Sequence, residues 1–345
     1  MAKGIKRLGL ILVAAALLLI AYYGFSFVKF GIGIHEHNQP QAGNNPSAGS
    51  KQQGEEEYVP PKWEGTDRVN ILVLGGDSRD LDHASSQMPR TDTMLIVSID
   101  PVTKQASLFS ILRDTYVQIP NRGHSRINAA TVLGGAELAM ETVSEFTGLP
   151  VQYYVYVDFQ GFVALVDAIG GVEYYVEKDM QYRSRADGPE WDIDLKQGLQ
   201  TLDGKKALQY VRFRHDALSD YARTERQRKF LMAVAEKMQT TANLLRLPSI
   251  LNKIEPYIQT NLSLNDMVKL GTLAFQVNTD SIGSVQLPPN HLLREETIGG
   301  ASVITVDRNQ LQQFVEESLQ PPAPEESEQT ETGIENGDSD AAAPQ

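Results

Sequence analysis

Arginine and aspartate recur in short runs along this chain: Asp77-Ser78-Arg79, Arg90-Thr91-Asp92, Arg113-Asp114, Arg212-Phe213-Arg214 and Asp220-Tyr221-Ala222-Arg223. A guanidinium fork grips two phosphate oxygens at once and keeps its charge at any working pH, so several arginines together suit a diphosphate. Asp77 and Asp92 are too few and too hard for zinc. They suit Mg2+ held by one or two carboxylates with substrate phosphate oxygens. Phosphoryl transfer asks for positioning and charge stabilisation rather than covalent help from the protein. Taken singly, such a pair is an ordinary surface ion pair of ~0–1 kcal/mol, and Asp220 alone could be a helix N-cap. Convergence of several runs is what points to a site.

Other chemistries find little support. The chain has no cysteine, which removes thiol nucleophiles, thiolate metal sites and disulfides. Gly75-Gly76 is not followed by Gly-Lys-Ser/Thr, so it is no phosphate-binding P-loop, and no G-x-S-x-G elbow occurs. His35-Glu36-His37 lacks metal-site spacing. His215, beside the arginines, reads as a bystander.

The runs need elements to position them. Val69–Leu74 reads as a buried strand, and Thr93–Ile99 and Ala106–Leu112 as two more joined by the turn Asp100–Lys104. If those two are antiparallel, the start of one lies beside the end of the other. Arg90-Thr91-Asp92 then meets Arg113-Asp114, and the loop after Val69–Leu74 brings in Asp77 and Arg79. Ligands of open α/β sheets bind at such strand ends. Helices are expected over Asn128–Phe146, Phe159–Ile169, Leu202–Leu208, Asp220–Met238, Leu264–Phe275 (with Ser263 as N-cap) and Asp307–Leu319. Tyr153–Val157, Val172–Val176, Tyr210–Phe213 and Ser281–Leu287 read as strands. Strand alternation would put Arg212 and Arg214 on one face, and Asp220, Arg223 and Gln227 share a helix face. The fold class is α/β, a single mixed β-sheet covered by helices in an α/β/α arrangement after an N-terminal transmembrane helix.

That helix is expected over 8–28, an apolar run long enough to cross a bilayer. Lys3, Lys6 and Arg7 precede it and keep residues 1–7 in the cytoplasm. Its alanines lie mid-run rather than at a cleavage site, so it reads as an uncleaved anchor. Residues 29–67 read as a flexible stalk outside the cytoplasm, 68–320 as one catalytic domain, and 321–345 as an acidic disordered tail. The net charge of −13 argues against nucleic acid as a partner.

The segments Gly76-Asp77-Ser78-Arg79, Arg90-Thr91-Asp92-Thr93-Met94, Leu112-Arg113-Asp114-Thr115, Arg126-Ile127-Asn128-Ala129-Ala130, Tyr210-Val211-Arg212-Phe213-Arg214 and Asp220–Gln227 resemble, in order and spacing, those of LytR-CpsA-Psr proteins. The resemblance covers most of Arg68 to Met238, and the anchor-and-stalk layout matches too. It implies transfer of a glycopolymer, such as teichoic acid or capsule, from a polyprenyl-pyrophosphate carrier to a muramic acid hydroxyl of peptidoglycan, outside the membrane of a Gram-positive-type envelope. It further implies Mg2+ at Asp77 and Asp92, and phosphates held by Arg79, Arg90, Arg113, Arg212, Arg214 and Arg223. Arg126 and Gln227 would support them, with Asp220 as candidate base. Gly76 stands where the family usually has a non-glycine residue, and Arg126 where lysine is common.

An apolar tunnel for the lipid is implied as well. Val132, Leu133, Leu138 and Val143 on one expected helix, with Phe162, Val163 and Val166 on another, could line it, although such stripes ordinarily pack into a core. Three other functions compete: a membrane-bound transcriptional attenuator, a lipid-pyrophosphate hydrolase using the same site with water, and a non-catalytic lipid-binding module.

Overall fold

A computed structural model describes residues 22–34, 58–77, 88–183, 188, 191–214, 219–277 and 282–320. Most of the expected anchor, most of the stalk, the acidic tail, Arg79, His35-Glu36-His37 and His215 lie outside the described residues.

The first element among the described residues is helix α1, residues 22–34, so residues 29–34, assigned by composition to the stalk, are helical. Strands β1 (Val69–Gly76), β2 (Thr91–Ile99), β3 (Ala106–Ile111), β4 (Tyr116–Ile119) and β5 (Gly123–Arg126) precede α2 (Ala130–Thr147), β6 (Tyr153–Asp158) and α3 (Phe159–Ala168). Next come β7 (Val172–Val176), β8 (Met180–Tyr182), β9 (Ile193–Leu195), β10 (Gly198–Leu202), α4 (Gly204–Arg212), α5 (Ser219–Met238) and α6 (Thr241–Ile254). The remainder is β11 (Ile258–Thr260), α7 (Leu264–Ala274), β12 (Gly283–Leu287), β13 (Arg294–Ile298), β14 (Ala301–Thr305) and α8 (Arg308–Ser318).

The central sheet is mixed, in the order β11-β6-β1-β2-β3-β12. β1 runs antiparallel to β2 and parallel to β6, and β3 antiparallel to β2 and parallel to β12. The expected single sheet is therefore correct at the centre, while β4-β5, β7-β10, β8-β9 and β13-β14 form separate two-stranded ribbons.

Both sheet faces are covered, which is why β1 reads as an almost continuous apolar run. Leu72, Leu74, Met94, Ile96 and Phe109 pack one face against α2 and α8. Ile71, Val97 and Val155, on the other face, pack with Leu270 and Leu273 of α7. A third core joins α3, α4, α5 and the ribbon β7-β10 beside the sheet. Each fully buried aliphatic side chain contributes about 1.5–3 kcal/mol of transfer free energy.

Helix starts follow local chemistry. Asp158, Asp203, Ser263 and Asp307 each accept a backbone N–H in the first turn of α3, α4, α7 and α8. Ser263 is thus the N-cap its position suggested. Two further expectations fail. Tyr210–Phe213 is not a strand: α4 runs on to Arg212, and only Phe213 turns extended. The helix expected over Asn128–Phe146 opens as a 3-10 turn and is broken at Gly134 and Gly135. Gly135 there takes a φ of 74°, a left-handed conformation costly for other residues.

Candidate active site

The sheet register gathers the charged runs at one edge. Gly76, at the end of β1, pairs with Thr91 at the start of β2 and with Asp158 at the end of β6. Asp77 therefore follows directly across from Arg90-Thr91-Asp92. Arg113 leaves the end of β3 at the same edge, and one of its Nη atoms bonds the Asp92 carboxylate. Antiparallel strands deliver this meeting, as their spacing in sequence required.

Asp92 is the hub. A second guanidinium, from Arg214, lies 3.3 Å from the same oxygen. Burial on its own would raise this carboxyl. Arg214, Arg113 and Arg223 outweigh that and hold it below the ordinary carboxylate range. Arg113 also reaches Asp114 at 3.5 Å, and Asp114 in turn pairs with Arg126 at 3.2 Å.

The remaining arginines come from the junction of α4 and α5. Arg212 is the last residue of α4, and its guanidinium lies over the rings of Trp191 and Phe159, 5.2 and 5.7 Å from their centres. Arg223 is only 2% exposed, and Gln227, one turn later in α5, is 8% exposed and donates to the Val211 carbonyl at 3.2 Å. Arg226 points the same way: it donates to the carbonyls of Phe213 at 2.5 Å and Tyr210 at 3.4 Å and pairs with Glu177 at 3.3 Å. Tyr210 donates from its hydroxyl to the other Glu177 oxygen at 2.9 Å. Burial first, then Tyr174 and Glu177, raises that phenol and keeps it protonated. α5 thus holds the open carbonyls at the C-terminal end of α4 and fixes where Arg212 and Arg214 point.

These groups head a cavity of about 380 Å³. Val73, Leu95 and Val157 form its floor. They continue the sheet stripe of Ile71, Val97 and Val155 beyond the residues that pack with α7, and here the stripe faces the cavity. Phe162, Leu208 and Leu231 wall it from α3, α4 and α5, and Asp92, Arg212, Arg214 and Arg223 stand along it. A second space of about 490 Å³ shares Phe159, Trp191, Leu208 and Arg212 and runs out to Tyr257. Both are lined from α3 and α4, which make a close contact. A Cβ on Gly204 would sit 2.3 Å from the Val163 carbonyl oxygen, so only glycine allows it.

Of the residues expected here, Asp92, Arg212, Arg214, Arg223 and Gln227 line the cavity, and Arg113 joins through Asp92. Asp77 is half-buried at the same sheet edge. Arg90 is exposed at the start of β2 and is not among the lining residues. Arg126 is engaged by Asp114 and by the Ser302 carbonyl at 2.7 Å, away from the cavity. Asp220 falls in the first turn of α5, its side chain outside the described residues. The apolar lining comes from α3, not α2: Phe162 and Val163 face the two spaces, whereas Val132 and Leu133 are exposed and Val143 and Val166 are core. Sequence reading missed Trp191, Glu177 and the clamp role of Arg226. Only the unusual density of arginine in α5 hinted at the last.

A divalent cation fits this edge. Among the described residues no three acidic or histidine side chains gather as a full metal cage, and Mg2+ does not need one. Below Gly76, the Tyr156 hydroxyl and the Thr91 hydroxyl are buried with no hydrogen-bond partner. Burial, with the nearby Asp158 and Asp77 carboxylates, raises the Tyr156 phenol. Asp77 and Asp92 offer the hard oxygens that such a cation would take.

The model of the LytR_cpsA_psr family matches residues 27–320. The regulatory protein MsrR of Staphylococcus aureus (strain COL) is 31% identical over 256 residues, covering 73% of this chain and 74% of its own. The polyisoprenyl-teichoic acid–peptidoglycan teichoic acid transferase TagU of Enterococcus faecalis is 36% identical over 203 residues, 58% of this chain and 64% of its own. The solved structure of TagT (YwtF) of Bacillus subtilis with bound octaprenyl pyrophosphate lipid superposes with a TM-score of 0.54 and 26% identity, covering 75% of this chain and 92% of that one.

Proposed function

Because the chain belongs to the LytR-CpsA-Psr family, we propose that it transfers an anionic glycopolymer from a polyprenyl-pyrophosphate carrier to a peptidoglycan hydroxyl. One observation carries the reading: a cavity with apolar walls that is headed by Asp92, Arg212, Arg214 and Arg223. Its chemistry is that of an amphiphile with a polyanionic head. The lipid bound by TagT and the activity named for TagU support it.

In this reading Arg113, Arg212, Arg214 and Arg223 hold the pyrophosphate. Asp77 and Asp92 would hold Mg2+, which when bound neutralises phosphate charge. The acceptor hydroxyl oxygen attacks the phosphorus bearing the polymer. The bond from that phosphorus to the bridging oxygen breaks, and polyprenyl monophosphate leaves. Asp220 takes the hydroxyl proton. Arg212 and Arg214, fixed from α5, stabilise the charge that moves onto the leaving phosphate. Residues 8–28 would anchor the domain beside the lipid it uses.

The test supplies the full chain with lipid-linked polymer, with and without peptidoglycan fragments. Wild type should form the polymer–glycan phosphodiester only when the fragments are present. Asp77→Ala and Arg212→Ala should each lower transfer by about 10²-fold or more with an unchanged circular dichroism spectrum. Normal transfer in both variants would overturn the proposal, and monophosphate release without acceptor would favour the hydrolase instead. A regulatory role through DNA meets the net charge of −13.

A further inference from the structure

Helix α1 is apolar on both sides. Its inner face sets Phe30 and Ile34, 7% and 1% exposed, against the folded domain. Tyr23 donates from its hydroxyl to the Leu245 carbonyl of α6 at 2.7 Å. A Cβ on Gly31 would overlap the Leu264 side chain of α7, and one on Gly33 the Glu255 carboxylate, so two glycines permit the close seat. The outer face carries Tyr22, Phe25, Val28 and Ile32, all about half exposed or more. A helix apolar all round is normally covered all round.

The apolar surface continues onto the neighbouring helices. Leu245 of α6 is 69% exposed, and Val268 of α7 and the adjoining Phe275 are 53% and 59% exposed. Leu264, Val268 and Phe275 fall at i, i+4 and i+11, so they form one stripe running on from the contact with Gly31. Around it stand Lys29, Arg246, Lys253 and Lys269, all exposed. The acidic neighbours are Asp266, which accepts a hydrogen bond from the Ser263 hydroxyl at 2.6 Å, and Glu255, against Gly33. A basic rim on a chain of net charge −13 is complementary to anionic lipid.

Residues 22–28 of α1 are also the end of the apolar run 8–28, so the uncovered face continues directly from the anchor segment. We propose that α6 and α7, beside the end of α1 where it leaves the bilayer, form a face that lies on the bilayer surface, its apolar side chains at the acyl boundary and its lysines and arginine on anionic headgroups. The proposal rests on the reading of 8–28 as a membrane anchor. Docked this way, the outer cavity, which Tyr257 lines in the same turn as Glu255, opens beside the lipid surface. A prenyl chain could then enter without crossing water.

Since the chain has no cysteine, single-cysteine variants report one site each. Leu245→Cys, Val268→Cys and Phe275→Cys are spin-labelled in the full chain, with Val102→Cys in the β2–β3 turn, 76% exposed, as reference. Each is reconstituted into phosphatidylglycerol–phosphatidylcholine vesicles, and collision with oxygen and with a water-soluble nickel chelate is measured. Labels at 245, 268 and 275 should meet oxygen severalfold more than nickel, and the label at 102 the reverse. The contrast should shrink in pure phosphatidylcholine. Nickel access at 268 and 275 equal to that at 102, in a chain that resists carbonate extraction, overturns the docking alone. Shielding from both reagents overturns it in favour of a second copy of the chain on this face. A chain released by carbonate overturns the anchor reading, and the docking with it.

Discussion

Asp92 is held by arginines that a pyrophosphate would also engage. A cation approaching it alone meets Arg113, Arg214 and Arg223. Like charges repel at this range, so Mg2+ should bind strongly only together with the polyanion. Asp92→Asn removes both a cation ligand and the internal competitor for the guanidiniums. Calorimetry should find that this variant binds inorganic pyrophosphate without Mg2+ at least as tightly as wild type does, with no further gain when Mg2+ is added. Retained Mg2+ enhancement would mean that Asp92 is not a ligand. The lowered value of this carboxyl also fixes a sign. Its stabilising share is complete above the unfolded value of about 3.9 and is lost only as pH falls through the still lower folded value. Stability and transfer should therefore show no step from Asp92 between about pH 5 and 8.

At the scale of elements, the decisive contact is between α5 and the end of α4. Arg226 is 5% exposed in its side chain and caps two carbonyls, while its partner Glu177 is 44% exposed. Arg226→Met should cost about 1–3 kcal/mol in urea unfolding, from lost charge-assisted hydrogen bonds to buried carbonyls. It should also weaken pyrophosphate binding, because Arg212 and Arg214 lose their fixed base. Glu177→Gln breaks a partly solvated ion pair and should cost less. Equal losses in the two variants would contradict the clamp. This contact was not legible in the sequence. Tyr210–Phe213 has the aromatic and β-branched character of a strand, and the helix wins because it is capped from a distant element. α6 went unread for a related reason: Pro248 lies inside it, and proline ordinarily ends helices. By contrast, β1, β2, β3 and α7 were readable, since apolar runs, a turn signal and a serine N-cap act within a few residues.

Across the whole molecule, the cavity exists because three separate cores meet imperfectly. The sheet face that packs with α7 at Ile71 and Val97 lines the cavity at Val73 and Leu95. Val73→Phe would place a ring in that space. It should abolish binding of a prenyl pyrophosphate while leaving inorganic pyrophosphate binding and the thermal midpoint near wild type. Loss of both ligands would instead place the head group deeper than the arginines suggest. The sequence by itself determined the strands β1, β2, β3, β6, β7 and β12, the antiparallel meeting of Asp92 with Arg113, the arginine-rich chemistry and the family resemblance. These depend on residue type and short-range spacing. Only the tertiary structure decided that Arg212 and Arg214 leave a helix end, that Arg126 and Arg90 stand off the cavity, and that α3 rather than α2 lines it. Those outcomes depend on which surfaces are left unfilled when distant elements pack, and no local pattern encodes the volume between them.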